Sequence, residues 1–256
     1  NWADVPTGDY ALTARATDVA GATATSSALE IAVNPQPPPG NDQFANATAL
    51  NGGELGTTGS NVNATRETAG EPLHAGIFGR RSVWWTWTAP ISGSATMATI
   101  GSAFDTMLAV YTGGNLASLT VLAVDDDSGV NGTSKVIFDA VGGTTYRIAV
   151  DGFGFVMGNI VLSISLNQRP QVSLTSPTEG AVFTRPTNIT ITASATDPDG
   201  SVALVELFEG THSLARLQSP PYSFTWSDVG LGSFELTAVA TDNKGLLKGL
   251  TISGRR

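Results

Sequence analysis

The 256 residues suffice for one large or two to three small domains, so cores can form without covalent staples. Acidic residues outnumber basic ones by 22 to 13, for a net charge of -9, and only Lys135, Lys244 and Lys248 are lysines, a balance that argues against a nucleic-acid partner. With no cysteine, disulfides, thiolate metal sites and cysteine nucleophiles are excluded together, and no run approaches the ~18 apolar residues of a membrane span.

Charged residues make up only 14% of the chain, while Gly, Ala, Ser and Thr abound, which suits many short strands and turns. The chain reads as all-β, and because it opens on Asn1 rather than on a Met before a signal peptide, it reads as a stretch of a longer precursor.

Chain order begins with a repeat. Trp2-Ala-Asp-Val5 and Leu12-Thr-Ala-Arg-Ala-Thr-Asp18 return 224 residues later as Trp226-Ser-Asp-Val229 and Leu236-Thr-Ala-Val-Ala-Thr-Asp242, with eleven of twenty positions identical from Trp2 to Gly21. Residues 1–34 therefore carry the last two strands of a module whose second copy spans 169–254. Thirty-four residues cannot bury a sheet face alone, and the face with Tyr10, Leu12, Ala14 and Ala16 is expected to pack on another β element, most simply an Ig-like module of a neighbouring chain, or else on the middle domain across the proline linker.

Pro35-Gln-Pro-Pro-Pro-Gly40 follows as a semi-rigid polyproline spacer. Within 41–167, alternation of period two places Tyr146, Ile148 and Val150 on one strand face, and Ile160, Leu162, Ile164 and Leu166 on one face of the next. Turn signals at Asn51-Gly-Gly53, Ser92-Gly93, Gly113-Gly-Asn115, Asn131-Gly132, Gly142-Gly143 and Asp151-Gly152 predict eight or nine strands in a sandwich or jelly roll. The second boundary, Asn167-Gln-Arg-Pro170, is so short that the last module is expected to sit close to the middle one.

The residues from 169 to 254 include Pro170-Gln-Val-Ser-Leu-Thr-Ser-Pro177, Ala193-Ser-Ala-Thr-Asp-Pro-Asp-Gly200, Val205-Glu-Leu-Phe208 and Pro221-Tyr-Ser-Phe-Thr-Trp226, and they resemble the bacterial Ig-like domains of secreted enzymes and adhesins. The short last strand before Arg255-Arg256 departs from that pattern. Asn41-Asp-Gln-Phe-Ala-Asn-Ala47, Glu71-Pro-Leu-His-Ala-Gly76, Ser82-Val-Trp-Trp-Thr-Trp-Thr-Ala-Pro90, Phe104-Asp-Thr-Met-Leu-Ala-Val-Tyr111, Asp125-Asp-Asp127 and Tyr146-Arg-Ile-Ala-Val-Asp-Gly152 make residues 41–167 similar to the bacterial pre-peptidase C-terminal domain family. That resemblance implies a jelly-roll-like sandwich attached to exported hydrolases. It also implies calcium, bound in the related collagen-binding domains where the linker enters the sandwich.

Calcium takes six to eight oxygen ligands. The resemblance points to Asn41 and Asp42 at the linker end, with Glu67 and Glu71 as acidic partners, although Glu stands where Asp is expected and the spacing is approximate. The alternative there is a surface loop with an Asn-Asp turn. Asp125, Asp126 and Asp127 form a second metal candidate, because three consecutive carboxylates repel unless solvated or bridged; the alternative is a solvated turn. Asp197-Pro-Asp-Gly200 reads as an ordinary turn.

Only His74 and His212 could act as imidazole bases, and no nucleophile elbow, zinc-ligand pair or phosphate loop accompanies them. No catalytic residue is assigned, and His74 is expected to fix its loop by hydrogen bonds. On the strand Trp84-Trp85-Thr86-Trp87, Trp85 and Trp87 share the core face, leaving Trp84, with Tyr111 or Phe153, as a candidate exposed platform for a sugar ring or peptide; burial under a loop is the alternative. The sequence thus points to a non-catalytic, calcium-stabilised accessory region, extracellular or on the cell surface. It would bind a polysaccharide or extracellular protein polymer beside neighbouring Ig-like modules. A structural adhesin or filament repeat and a hydrolase of unrecognised type are the rival readings.

Overall fold

A computed structural model of the chain describes residues 5–184 and 187–254, with side chains through residue 250. Trp2 to Asp4 of the first repeat copy and the terminal Arg255-Arg256 lie outside the described residues. The fold is all-β, with three one-turn 3₁₀ segments (44–46, 116–118 and 153–155) as its helical parts among the described residues.

The first segment holds β1 (Gly8–Leu12), β2 (Arg15–Thr17), β3 (Thr23–Thr25) and β4 (Leu29–Val33). β1 pairs with β4 and β2 with β3, each as a two-stranded antiparallel ladder. The expected cover from another β element is not part of these ladders: Leu12 is 39% and Leu29 65% exposed.

The middle sandwich contains nine strands: β5 (Thr48–Leu50), β6 (Glu54–Ser60), β7 (Val83–Thr88), β8 (Gly93–Ala98), β9 (Thr106–Thr112), β10 (Thr120–Asp125), β11 (Lys135–Ala140), β12 (Thr145–Gly152) and β13 (Asn159–Asn167). One sheet has the order β10-β9-β12-β7-β5 and the other β11-β8-β13-β6, antiparallel except for the β5–β7 pair. The alternating residues of β12 and β13 named above are all buried, and they meet Trp85, Trp87, Met97, Leu108 and Val110 in one core. β7 and β9 are buried on both faces, because loop 61–82 and the 3₁₀ turn at Phe44 cover the outer side of their sheet.

The last module comprises β14 (Gln171–Ser176), β15 (Ile189–Thr196), β16 (Val202–Glu209), β17 (His212–Leu217), β18 (Tyr222–Trp226), β19 (Phe234–Asp242) and β20 (Leu247–Gly254). Its sheets, β14-β15-β18 and β17-β16-β19-β20, enclose Ile189, Ile191, Val205, Leu207, Leu236, Ala238 and Ala240. His212 opens β17 and is exposed.

The junction between the middle sandwich and the last module is short and bonded. Asn167, the last residue of β13, donates its Nδ2 to Asp242 Oδ2 at 2.9 Å, and both side chains are buried. Gln168 N–H donates to the Asp199 carboxylate, and Arg169 donates to the Leu247 carbonyl. Lys244 Nζ lies 3.0 Å from Glu54 and 3.8 Å from Asp199. The Asp197-to-Gly200 turn thus receives the linker backbone.

Candidate functional site

The lead-in segment is built into the sandwich by hydrogen bonds from both directions. Asn41 carbonyl accepts from Trp84 N–H, and Asn41 Nδ2 donates to the Trp84 carbonyl. Asp42, 5% exposed, accepts from Thr65 N–H, from Thr65 Oγ1 at 2.8 Å and from Gln43 Nε2 at 2.9 Å. Glu67 Oε2 accepts from Phe44 N–H at 2.7 Å, and Glu71 Oε2 from Glu67 N–H at 2.6 Å. Asn41, Asp42, Glu67 and Glu71 therefore do belong to one network. Their carboxylates serve amide and hydroxyl donors, so a cation there would have to displace bonds that tie the linker to loop 61–82. As a finished ligand set the four do not fit calcium.

Behind this network lies a buried polar cluster. Glu71 Oε1 accepts from Ser82 Oγ and from His74 Nε2, the latter at 3.0 Å, and His74 Nδ1 lies 2.8 Å from Tyr111 Oη. A carboxylate can only accept, so His74 Nε2 donates to Glu71, and its Nδ1 and the Tyr111 hydroxyl share the other hydrogen bond. Burial, reinforced by the Glu71 charge, raises the Tyr111 pKa and keeps that hydroxyl protonated. Asp151 Oδ1 accepts from the N–H groups of Arg81 and Gly152. Its Oδ2 has no hydrogen-bond partner and faces Gly79, where a Cβ would sit 1.7 Å from it. Burial raises the Asp151 pKa, the Glu71 charge adds to this, and His74 and the two amides oppose it.

Ser, His and acid thus occur together without forming a nucleophile and base. The carboxylate, not the imidazole, holds the serine hydroxyl, and all three side chains are 5% exposed or less. His74 fixes its loop, as its surroundings in the sequence led us to expect.

Trp84 and Tyr111 correct the expected platform. Alternation does put Trp84 on the face opposite Trp85 and Trp87, but Phe44, His74 and loop 61–82 cover that face, and both Trp84 and Tyr111 are 0% exposed. Phe153 is 45% exposed on a different loop. Phe78 and Phe155 are exposed too, at 48% and 45%, and Arg80 lies over both of these rings, 5.6 and 5.1 Å from their centroids. Arg66 also stacks on Phe78, at 4.8 Å. Phe155 holds a left-handed backbone at φ 70°.

Asp125, Asp126 and Asp127 lie elsewhere, on the turn after β10. Asp125 is bonded by Ser128 Oγ and by the N–H groups of Ser128 and Lys135; these donors lower its pKa although burial, the largest single influence, raises it. Asp126 Oδ1 and Asp105 Oδ1 are shielded and lack donors. Burial raises both pKa values, helped by the Asp127 charge on each. Among the described residues no three His, Asp or Glu side chains converge as a ready metal-ligand set. Asp105, Ser82 and Asp151 escape the sequence reading; Asp151-Gly152 reads there only as a turn, and nothing in the sequence ties Ser82 to Glu71.

Residues 170–238 match the family model described as bacterial Ig domain. The chain contains Ig-like β-sandwich architecture. No curated protein matches the chain significantly. Among solved structures, the fibronectin(III)-like modules of Clostridium thermocellum CbhA are similar at 24% identity over 33% of this chain and 92% of that one, with a TM-score of 0.31. The PKD1 domain of Vibrio anguillarum Epp is similar at 18% identity over 34% of this chain and 92% of that one, with a TM-score of 0.26. The CUB1-EGF-CUB2 domains of rat MASP-1 are similar at 10% identity over 81% of this chain and 99% of that one, also at 0.26. With TM-scores this low, none of these likenesses bears on function.

Proposed function

We propose that this chain is a non-catalytic accessory region of an exported bacterial protein, extracellular or on the cell surface, in which Ig-like modules set reach and the middle sandwich holds a polymer or surface partner. The observation that carries this reading is the bonded junction at Asn167 and Asp242, because a spacer transmits position only if its modules do not swivel. The resemblance of residues 41–167 to pre-peptidase C-terminal domains supports the same assignment. So does the placement of Glu71 between Ser82 and His74, which keeps the imidazole off the serine hydroxyl.

In this reading the binding surface is the Phe78, Arg80 and Phe155 face, not Trp84 and Tyr111. A guanidinium stacked between rings keeps its N–H edges free for a carboxylate or carbonyl, and the exposed rings offer apolar contact. Calcium belongs to the proposal at the acidic turn, where a cation would offset the charges that Asp105, Asp126 and Asp127 exert on one another. The test is co-sedimentation of the purified chain with cellulose, chitin, pectin and collagen fibrils, alongside melting with calcium and with chelator. One polymer should retain the chain and lose it on Arg80→Ala, and calcium should raise the melting temperature of the wild type but not of Asp126→Asn. No retention by any polymer, with melting unchanged by calcium, would contradict the reading.

A further inference from the structure

The hairpin at residues 8–33 and the one at 232–254 have the same local fold in different surroundings. Gly8 and Gly232 stand at φ 155° and 159°, each beneath the aromatic ring two residues on, Tyr10 and Phe234. Asp18 Oδ1 accepts from the N–H groups of Ala20 and Ala22, and Asp242 Oδ1 from those of Lys244 and Leu246, all at 2.8–2.9 Å. Gly21 and Gly245, at φ 86° and 93°, close the two turns. The pairing next to the turn is the same as well: Thr17↔Thr23, Ala16↔Ala24 and Arg15↔Thr25 correspond to Thr241↔Leu247, Ala240↔Lys248 and Val239↔Gly249. Beyond that, the first copy shifts by one residue, at Leu12↔Leu29 against Leu236↔Ile252.

Burial is what differs. Leu236, Ala238 and Ala240 are 5%, 0% and 0% exposed, because β16 pairs alongside and the β14-β15-β18 sheet closes over them. Their counterparts Leu12, Ala14 and Ala16 are exposed, and so is Asp18, whose counterpart Asp242 is 2% exposed. The second copy therefore displays what the first copy's face is shaped to receive.

We infer that residues 8–33 are a closing hairpin for an Ig-like body of the β14–β18 kind, with its β16-like strand pairing along Ala14 and Ala16. This goes beyond the proposed accessory role and stands if that role fails. Isolated two-stranded ladders are marginal in water, so capture of such a body should stabilise the hairpin and the body together.

The test adds residues 169–231 directly before Gly8 of the full chain, the join that the 224-residue offset sets, since Gly8 corresponds to Gly232. The extended chain should protect residues 8–33 from protease as fully as 232–254. Leu12→Asp should abolish that protection while leaving the last module intact. In the native module Glu206 faces Val239, the counterpart of Arg15. The chain has no cysteine, so Glu206→Cys in the added copy with Arg15→Cys should form a disulfide, as Glu206→Cys with Val239→Cys does in the native module as a control. An added body that stays unfolded, with residues 8–33 as cleavable as in the unextended chain and no cross-link while the control pair forms, overturns the inference. So does an unextended chain that dimerises and protects 8–33, because a second copy would then be the occupant.

Discussion

Asp151 shows what one buried side chain contributes. Its carboxyl is 1% exposed, with two amide donors on one oxygen and none on the other, and burial raises its pKa above the ordinary 3.8. A raised acid favours the folded state when protonated. Its contribution is therefore complete below the unfolded pKa and is lost as pH climbs through the folded one. Asp151→Asn keeps an oxygen for Arg81 and Gly152 but cannot ionise. In urea titrations the variant should gain on the wild type as pH rises from about 4 to about 7. A difference that does not change with pH would contradict the assignment. At this scale the sequence shows which residues gather but not what they bond. The family resemblance groups Asn41, Asp42, Glu67 and Glu71, whereas their partners are largely backbone amides that come within reach only once loop 61–82 folds.

Strand β7 sets the same limit for elements. Period-two alternation separates Trp84 from Trp85 and Trp87, and that separation holds. Whether the second face meets water depends on a loop and a lead-in segment, and alternation carries no information about either. Trp84 and Trp87 also differ in how their indoles are satisfied. Trp87 Nε1 donates to the Gly52 carbonyl at 2.8 Å, while Trp84 Nε1 is buried without a partner. Trp→Phe removes similar volume at both positions, but at Trp87 it also removes the hydrogen bond to the Gly52 carbonyl, and at Trp84 it removes an orphaned donor. Chemical denaturation should therefore find Trp87→Phe more destabilising than Trp84→Phe by about 1 kcal/mol or more. Equal losses would show that indole hydrogen bonding does not distinguish the sites. The β12 and β13 cores are readable because each strand alternates over four or more turns of the pleat, whereas the three-residue β5 and its parallel pairing leave no such pattern.

For the whole molecule, the 224-residue offset is the most informative feature of the sequence, since it marks the two hairpins as one structure and sets the limits of what lies between them. The closeness of the middle sandwich and the last module follows from four residues, Asn167 to Pro170. Their bonding does not, because Asp242 and Asp199 come from turns about 75 and 31 residues downstream of their partners. The pairs at Lys244 are exposed and screened by salt, so the buried Asn167–Asp242 bond is the one expected to hold the angle. The direct test is backbone amide NMR relaxation of the full chain, comparing residues of β5–β13 with those of β14–β20. One shared rotational correlation time in the wild type, splitting into two on Asn167→Ala while Asp242 keeps its own turn, is the result a latched spacer predicts. Two separate correlation times already in the wild type would contradict it.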